Sequence, residues 1–344
     1  PFMDAVTKLA NKAGLRVPQI HKESPEEVQK RSSWYEITEL AAAYFEKNLR
    51  LTAGREAMAY LARRGFDENI IKKFRLGYAP DNNGLKAWLA SKNVSESDMI
   101  ELGLAVLSEK NGKLYDFFRD RVIIPIMDKR GRVIAFGGRV MGDGQPKYLN
   151  SPDTPVFNKR RVLYNLNYAR DKAFEKRRIV VCEGYMDVIA QAKYGFDYAV
   201  APLGTALTEE QIAEAWKICP EPTLCFDGDN AGIHAAIRSI DRALPILKAG
   251  YSLKYVFLPD GMDPDEFLKA KGADEYEKAL ENTVPLADLL WRKNVEAVAA
   301  DTPEQKALFE KTLLEEVAKI ADEKVRGYYL QDMKNRIYER FRRP

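Results

Sequence analysis

The chain has 344 residues, 46% hydrophobic, 10% aromatic and 31% charged, which excludes disorder and is enough for two or three packed units with a sizeable core; no run of about 18 apolar residues offers a membrane span. Its three cysteines (Cys182, Cys219, Cys225) and two histidines (His21, His234) form no C-x-x-C or H-x-x-x-H pair, which argues against a structural zinc site or disulfide framework and for a reducing compartment. The formal net charge of +3 hides an asymmetry: Arg119 to Arg178 holds fifteen Lys/Arg and six Asp/Glu, a net +9 that leaves −6 to the remainder.

The opening Pro1-Phe2-Met3 runs into an amphipathic pattern predicting a short helix to about Gly14, without a signal peptide, as in a piece of a longer protein. A polar linker is expected from His21 to Lys30, then several short helices from Trp34 to about Gly103, punctuated by Gly54, Gly65, Gly77 and Pro80. Val122–Ile126 and Val133–Phe136 around Asp128-Lys-Arg-Gly131 read as a hairpin. From Arg178 the pattern alternates: strands at Ile179–Cys182, Tyr198–Ala201, Thr223–Phe226 and Leu253–Leu258, with helices at Met186–Tyr194, Thr208–Ile218 and Ala231–Lys248. Thr208-Glu-Glu-Gln211 is a capping box. After Asp288 the chain reads as a small helical bundle. The fold class is α/β: a mixed α+β unit over residues 1–177 carrying the basic segment, a doubly wound sheet over 178–285, and the bundle over 286–344.

Three acidic motifs fall where strands of the sheet end: Glu183-Gly-Tyr-Met-Asp187, Asp227-Gly-Asp229, and Asp260 with Asp263-Pro-Asp265. Parallel strands bring their carboxyl ends to one edge, so these side chains are expected to converge there. Like charges held close repel, and a divalent cation relieves that repulsion; oxygen-only donors favour Mg²⁺ or Mn²⁺ over zinc. Gly184 and Gly228 allow the backbone to turn tightly beside such an ion.

Glu183 followed by Asp227-x-Asp229 resembles the TOPRIM domain shared by primases, topoisomerases and some nucleases. The longer strings Val181-Cys-Glu-Gly-Tyr-Met-Asp187, Phe226-Asp-Gly-Asp-Asn-Ala-Gly232 and Leu258-Pro-Asp-Gly-Met-Asp-Pro-Asp265 are similar to bacterial DnaG-type primases. So are Phe136-Gly-Gly-Arg139, Pro146-Lys-Tyr-Leu-Asn-Ser-Pro152, Phe157-Asn-Lys159 and Leu163-Tyr164, upstream strings that a generic TOPRIM protein lacks. The resemblance implies the catalytic core of a DNA-directed RNA polymerase making short RNA primers from NTPs on single-stranded DNA. Glu183, Asp227 and Asp229 then match the main metal-binding carboxylates, with Glu183 also a general-base candidate, and Asp187, Asp263 and Asp265 match supporting acidic positions for two or three ions. Arg139, Lys147, Asn150 and Lys159, and as an extension Arg119 and Arg121, match residues facing template and nucleotide phosphates. Other partners implied are an RNA–DNA hybrid product and, through a C-terminal domain outside this chain, a replicative helicase. Zinc is implied only in an N-terminal domain outside it, and the place of action is the bacterial cytoplasm, at the replication fork.

Two other readings share these features. A TOPRIM nuclease or topoisomerase fragment would use the same carboxylates to cleave DNA, and an inert nucleic-acid-binding module would use only the basic segment. Tyr148, Phe136 and Phe157 are base-stacking candidates whose more ordinary role is core packing; Cys182 and Cys225 read as buried hydrophobes and His234 as a surface or packing residue. No G-x-x-x-x-G-K-[ST] is present, so a fused helicase ATPase is not expected.

Overall fold

A computed structural model describes residues 24–204, 206–297 and 300–341. The helix expected before Gly14 lies outside them. Helix α1 (Pro25–Arg50) opens on a reciprocal capping box, in which Glu27 N donates to Ser24 Oγ at 3.2 Å and Ser24 N to Glu27 Oε2 at 2.7 Å. The helix therefore begins at Pro25, inside the stretch expected as a linker, where the missing N–H of proline costs nothing.

α1 lays Ala41, Phe45 and Leu49 across a sheet of β1 (Gly77–Ala79), β4 (Arg121–Met127), β5 (Val133–Val140) and β6 (Tyr148–Asn150), all antiparallel in the order β1-β4-β5-β6. Helices α2 (Arg55–Arg63), α3 (Glu68–Lys73), α4 (Gly84–Ala90) and α5 (Glu96–Glu101) and a small hairpin of β2 (Ala105–Leu107) and β3 (Leu114–Asp116) complete this unit. The β4–β5 hairpin falls where the sequence places it. Its turn is closed by Asp128, which accepts from the amides of Arg130 and Arg132, and by Gly131 at φ 79°.

The second sheet has the order β11-β10-β9-β7-β8, from β7 (Val180–Val181), β8 (Ala199–Val200), β9 (Thr223–Phe226), β10 (Lys254–Phe257) and β11 (Val284–Pro285). Strands β7 to β10 are parallel, and β11 adds an antiparallel fifth strand to the four expected. Around it lie α6 (Leu166–Lys176), α7 (Tyr185–Lys193), α8 (Glu209–Trp216), α9 (Asn230–Ala243), α10 (Pro264–Lys271) and α11 (Ala273–Glu281). α9 ends at Ala243 rather than near Lys248, because Pro245 cannot continue the helix and the next turn tightens. Helices α12 (Leu286–Ala297), α13 (Pro303–Ala318) and α14 (Glu323–Phe341) close the chain, α12 packing on α9. A continuous apolar core runs from Leu61 and Phe74 through Ile179, Leu224 and Tyr255 to Phe309 and Ile337, joining all three parts.

Candidate functional site

Strands β7, β9 and β10 are neighbours and parallel, so the residues following each arrive at one edge. There Asp227 N donates to Glu183 Oε1 at 3.3 Å. Gly228 lies against the Leu258 carbonyl, where any Cβ would overlap that oxygen, so the loops after β9 and β10 fit together only with glycine at this position. Two aspartates cap helices, Asp229 accepting from Gly232 N at 2.8 Å and Asp263 from Glu266 N at 2.7 Å, while Asp187, in the first turn of α7, accepts from the N-cap amide of Gly184 at 3.0 Å.

The electrostatics are those of crowded carboxylates. Burial pushes the Asp227 carboxyl up to about 7, with repulsion from Glu183, Asp263 and Asp229 adding to it. Burial, then Asp263 and Asp227, holds Asp187 well above the usual range; burial raises Glu183 too, against the pull of the Asp227 amide and Arg238. Asp227 Oδ1 is buried with no hydrogen-bond partner. Among the described residues, no three His, Cys, Asp or Glu side chains stand ready to share one ion as placed, and Asp187, Asp229 and Asp263 each give an oxygen to an amide at the start of a helix. An orphaned carboxylate oxygen inside a ring of mutually repelling acids nonetheless fits a hard cation.

The basic unit meets this edge directly. Tyr185, in the first acidic motif, donates its hydroxyl to Asn150 Oδ1 on β6, and its ring lies edge-on to Tyr164. Arg139 on β5 is half-buried, its guanidinium 4.2 Å from the Tyr60 ring centroid and its Nη1 donating to Val140 O at 2.7 Å. Lys147 is exposed. Lys159 is half-buried and its backbone is fixed, the amide donating to Asp153 at 2.9 Å and the carbonyl accepting from Gln211 at 3.0 Å. Arg119 lies over Tyr115 at 4.7 Å, in the β2–β3 hairpin. Arg121 corrects the expectation of a phosphate-facing group: it is 7% exposed, and its Nη1 donates to Gly138 O and Pro146 O at 3.2 and 2.9 Å, bracing β5 from within.

Asp265 differs from its neighbour Asp263. It is buried, with Oδ2 held by Arg64 Nη1 at 2.9 Å and Lys269 Nζ at 2.8 Å, while Oδ1 has no partner. Arg64, which the sequence reading missed, also lies 5.7 Å from the Tyr60 ring. Arg238 was missed as well. With Glu183 it lines a cleft of about 230 Å³ that Pro202, Gly204 and Leu207 share with Ala235 of α9. Phe136 and Phe157 are core residues, Tyr148 is half-buried, Cys182 and Cys225 are buried, and His234 is exposed.

A parallel sheet whose strand ends gather carboxylates, set against an antiparallel basic unit, is the arrangement of a Toprim-like protein with an added domain. A family model described as "DNA primase catalytic core, N-terminal domain" matches residues 44–170, and one described as "Toprim-like" matches 180–268. The DNA primases of Rickettsia felis and Escherichia coli K12 are 36% and 37% identical over 98% of this chain, which spans 56% and 58% of their lengths. Among solved structures, the E. coli primase catalytic core is 37% identical with a TM-score of 0.80, covering 88% of this chain and 97% of that one. A DNA primase domain from Pseudomonas aeruginosa is 39% identical with a TM-score of 0.80, covering 89% and 95%. A DnaG primase catalytic domain bound to ssDNA is 37% identical with a TM-score of 0.79, covering 90% and 99%. The chain belongs to the family of DnaG primase catalytic cores. These relatives do not favour the nuclease, topoisomerase or inert-module readings.

Proposed function

We propose that the chain is the RNA-polymerising core of a bacterial replicative primase, joining ribonucleoside triphosphates into short primers on single-stranded DNA at the replication fork. The observation that carries this is Asp227, its buried oxygen unpartnered among repelling carboxylates, on an edge that abuts the Arg139-bearing sheet through the Tyr185–Asn150 bond. Glu183, Asp227 and Asp229 would hold Mg²⁺ or Mn²⁺, with Asp187 and Asp263 in support, while Asp265 positions Arg64. Bound there, the divalent ions supply charge neutralisation for phosphoryl transfer.

The chain's own groups do the rest. Glu183, raised by burial, takes the proton of the attacking 3′-hydroxyl. Arg139, Lys147 and Lys159 bind the phosphates of template and nucleotide, and Tyr185 with Asn150 fixes the spacing between the acidic and basic walls. The test is ribonucleotide incorporation on single-stranded DNA without a primer, in Mg²⁺ or Mn²⁺. Synthesis that disappears in Asp229→Ala, with the circular dichroism spectrum unchanged, supports the reading. Full synthesis by that variant, or DNA cleavage in place of synthesis, overturns it.

A further inference from the structure

Arg238, on α9, is exposed and makes no hydrogen bond or ion pair among the described residues. Helical side chains lean back toward the helix's amino end, and for α9 that end is Asp229, at the acidic edge. The guanidinium thus comes back to line the cleft beside Glu183, where its charge is felt: burial raises the Glu183 carboxyl, and Arg238 pulls against that rise.

Among the described residues, Glu183 and Arg238 are the only charged groups lining this cleft, and its volume of about 230 Å³ is room for one nucleoside rather than a run of them. The ends of β7 and β9 contribute Val181 and Leu224, which pair in register, and the stretch after β8 contributes Pro202 and Leu207. That stretch is pinned to the basic unit, since Thr208 Oγ1 donates to Arg160 O at 2.6 Å and Gln211 Nε2 to Lys159 O at 3.0 Å. The cleft therefore lies where the carboxylate edge and the Lys159 segment meet.

The order of the strands says what would reach it. β7 and β8 lie on one side of β9, and β10, with Asp263 beyond it in the chain, on the other. A 3′-hydroxyl presented to Glu183 brings its own nucleoside over this cleft, while a triphosphate held toward Asp229 and Asp263 lies on the far side. The charge agrees. A triphosphate here would set several negative charges against one guanidinium and a repelling carboxylate, whereas a phosphodiester carries the single charge that one guanidinium matches.

We propose that this cleft seats the 3′-terminal nucleoside of the growing primer, its sugar and base against Val181, Leu207 and Leu224, and that Arg238 binds the phosphodiester joining it to the preceding nucleotide. This assignment rests on the polymerase reading above and adds to it the residue that aims the growing strand at Glu183.

The test is extension, by the whole chain in Mg²⁺ or Mn²⁺, of an oligoribonucleotide annealed to a DNA template, its last linkage either a phosphodiester or an uncharged methylphosphonate. Arg238→Ala is expected to raise the KM for primer about tenfold, with the KM for the ribonucleotide and the affinity for unprimed single-stranded DNA unchanged. The methylphosphonate should cost the unaltered chain the same factor and Arg238→Ala nothing further, and Arg238→Lys should recover part of the loss. Thermal melting checks that both variants stay folded, and the methylphosphonate comparison on the unaltered chain needs no variant. A loss that falls instead on the KM for the ribonucleotide or on unprimed DNA overturns the proposal, because the cation then serves nucleotide or template. So does a methylphosphonate penalty equal in the unaltered chain and Arg238→Ala. Extension indifferent to both changes sinks this subsite alone; no extension of either primer by the unaltered chain overturns the polymerase reading and the subsite with it.

Discussion

Arg64 and Asp265, 201 positions apart, form an ion pair of 2.9 Å that ties the helical layer of the basic unit to the helix following the last acidic motif. Asp265 is 2% exposed, so this carboxylate has left water and depends on Arg64 and Lys269. Arg64→Ala is expected to destabilise by about 1–3 kcal/mol, less than loss of a sole partner because Lys269 remains. Denaturant unfolding measures it, and Arg64→Lys should recover part of the loss.

Asp227→Asn separates stability from function. Removing a buried, unpartnered charge should raise the ion-free chain's stability by about 1 kcal/mol. The same change should lower primer synthesis by at least about 100-fold. Thermal melting in chelator, set beside the incorporation assay, reads both; a variant that melts earlier and still synthesises primers would contradict the assignment.

Gly228→Ala places a methyl group against the Leu258 carbonyl, backbone that cannot swing aside. The loops carrying Asp227 and Asp260 must then part, at a cost of about 1–3 kcal/mol. Urea unfolding gives the cost, and primer synthesis should fall more than that loss of stability explains.

Glu214 gives a pH dependence. Burial pushes its carboxyl up, but hydrogen bonds from Lys129 and Lys217 outweigh this and hold it below the ordinary range. A lowered acid contributes stability above its unfolded pKa and loses it as pH falls through the folded one. Glu214→Gln should therefore cost no more than about 1 kcal/mol at neutral pH, and the difference should vanish below about pH 4. Melting curves across that range test it, with high salt shrinking the neutral-pH gap.

Lys147, exposed on the basic face, should act through charge alone. Lys147→Ala should weaken binding of single-stranded DNA of any sequence and reduce the salt slope by about 1. A titration across salt concentrations decides it; an unchanged slope would remove Lys147 from the template path.

Much of the second sheet was legible because its strands are short apolar runs punctuated by caps, Thr208–Gln211 among them, and local rules reach that far. The acidic motifs were legible for the same reason: each follows its strand directly. What local pattern could not reach was pairing over distance. The three residues of β1 join β4 from 42 to 46 positions away, and β11 is two residues long, too short for any periodicity. Arg121 looked like every other cation of the basic segment until the Gly138 and Pro146 carbonyls were in place around it. Arg64 carried no signal at all, since its partner lies in another unit.

The capping bonds of Asp187, Asp229 and Asp263 have a consequence for how occupancy can be watched. Each carboxylate holds an amide at the start of a helix as well as belonging to the acidic edge, so an ion and a helix terminus compete for the same oxygens. The amides of Gly184, Gly232 and Glu266 thereby become built-in reporters: their hydrogen-exchange rates should change together on titration with Mg²⁺, and a cluster of charges otherwise silent to spectroscopy becomes readable from three backbone protons.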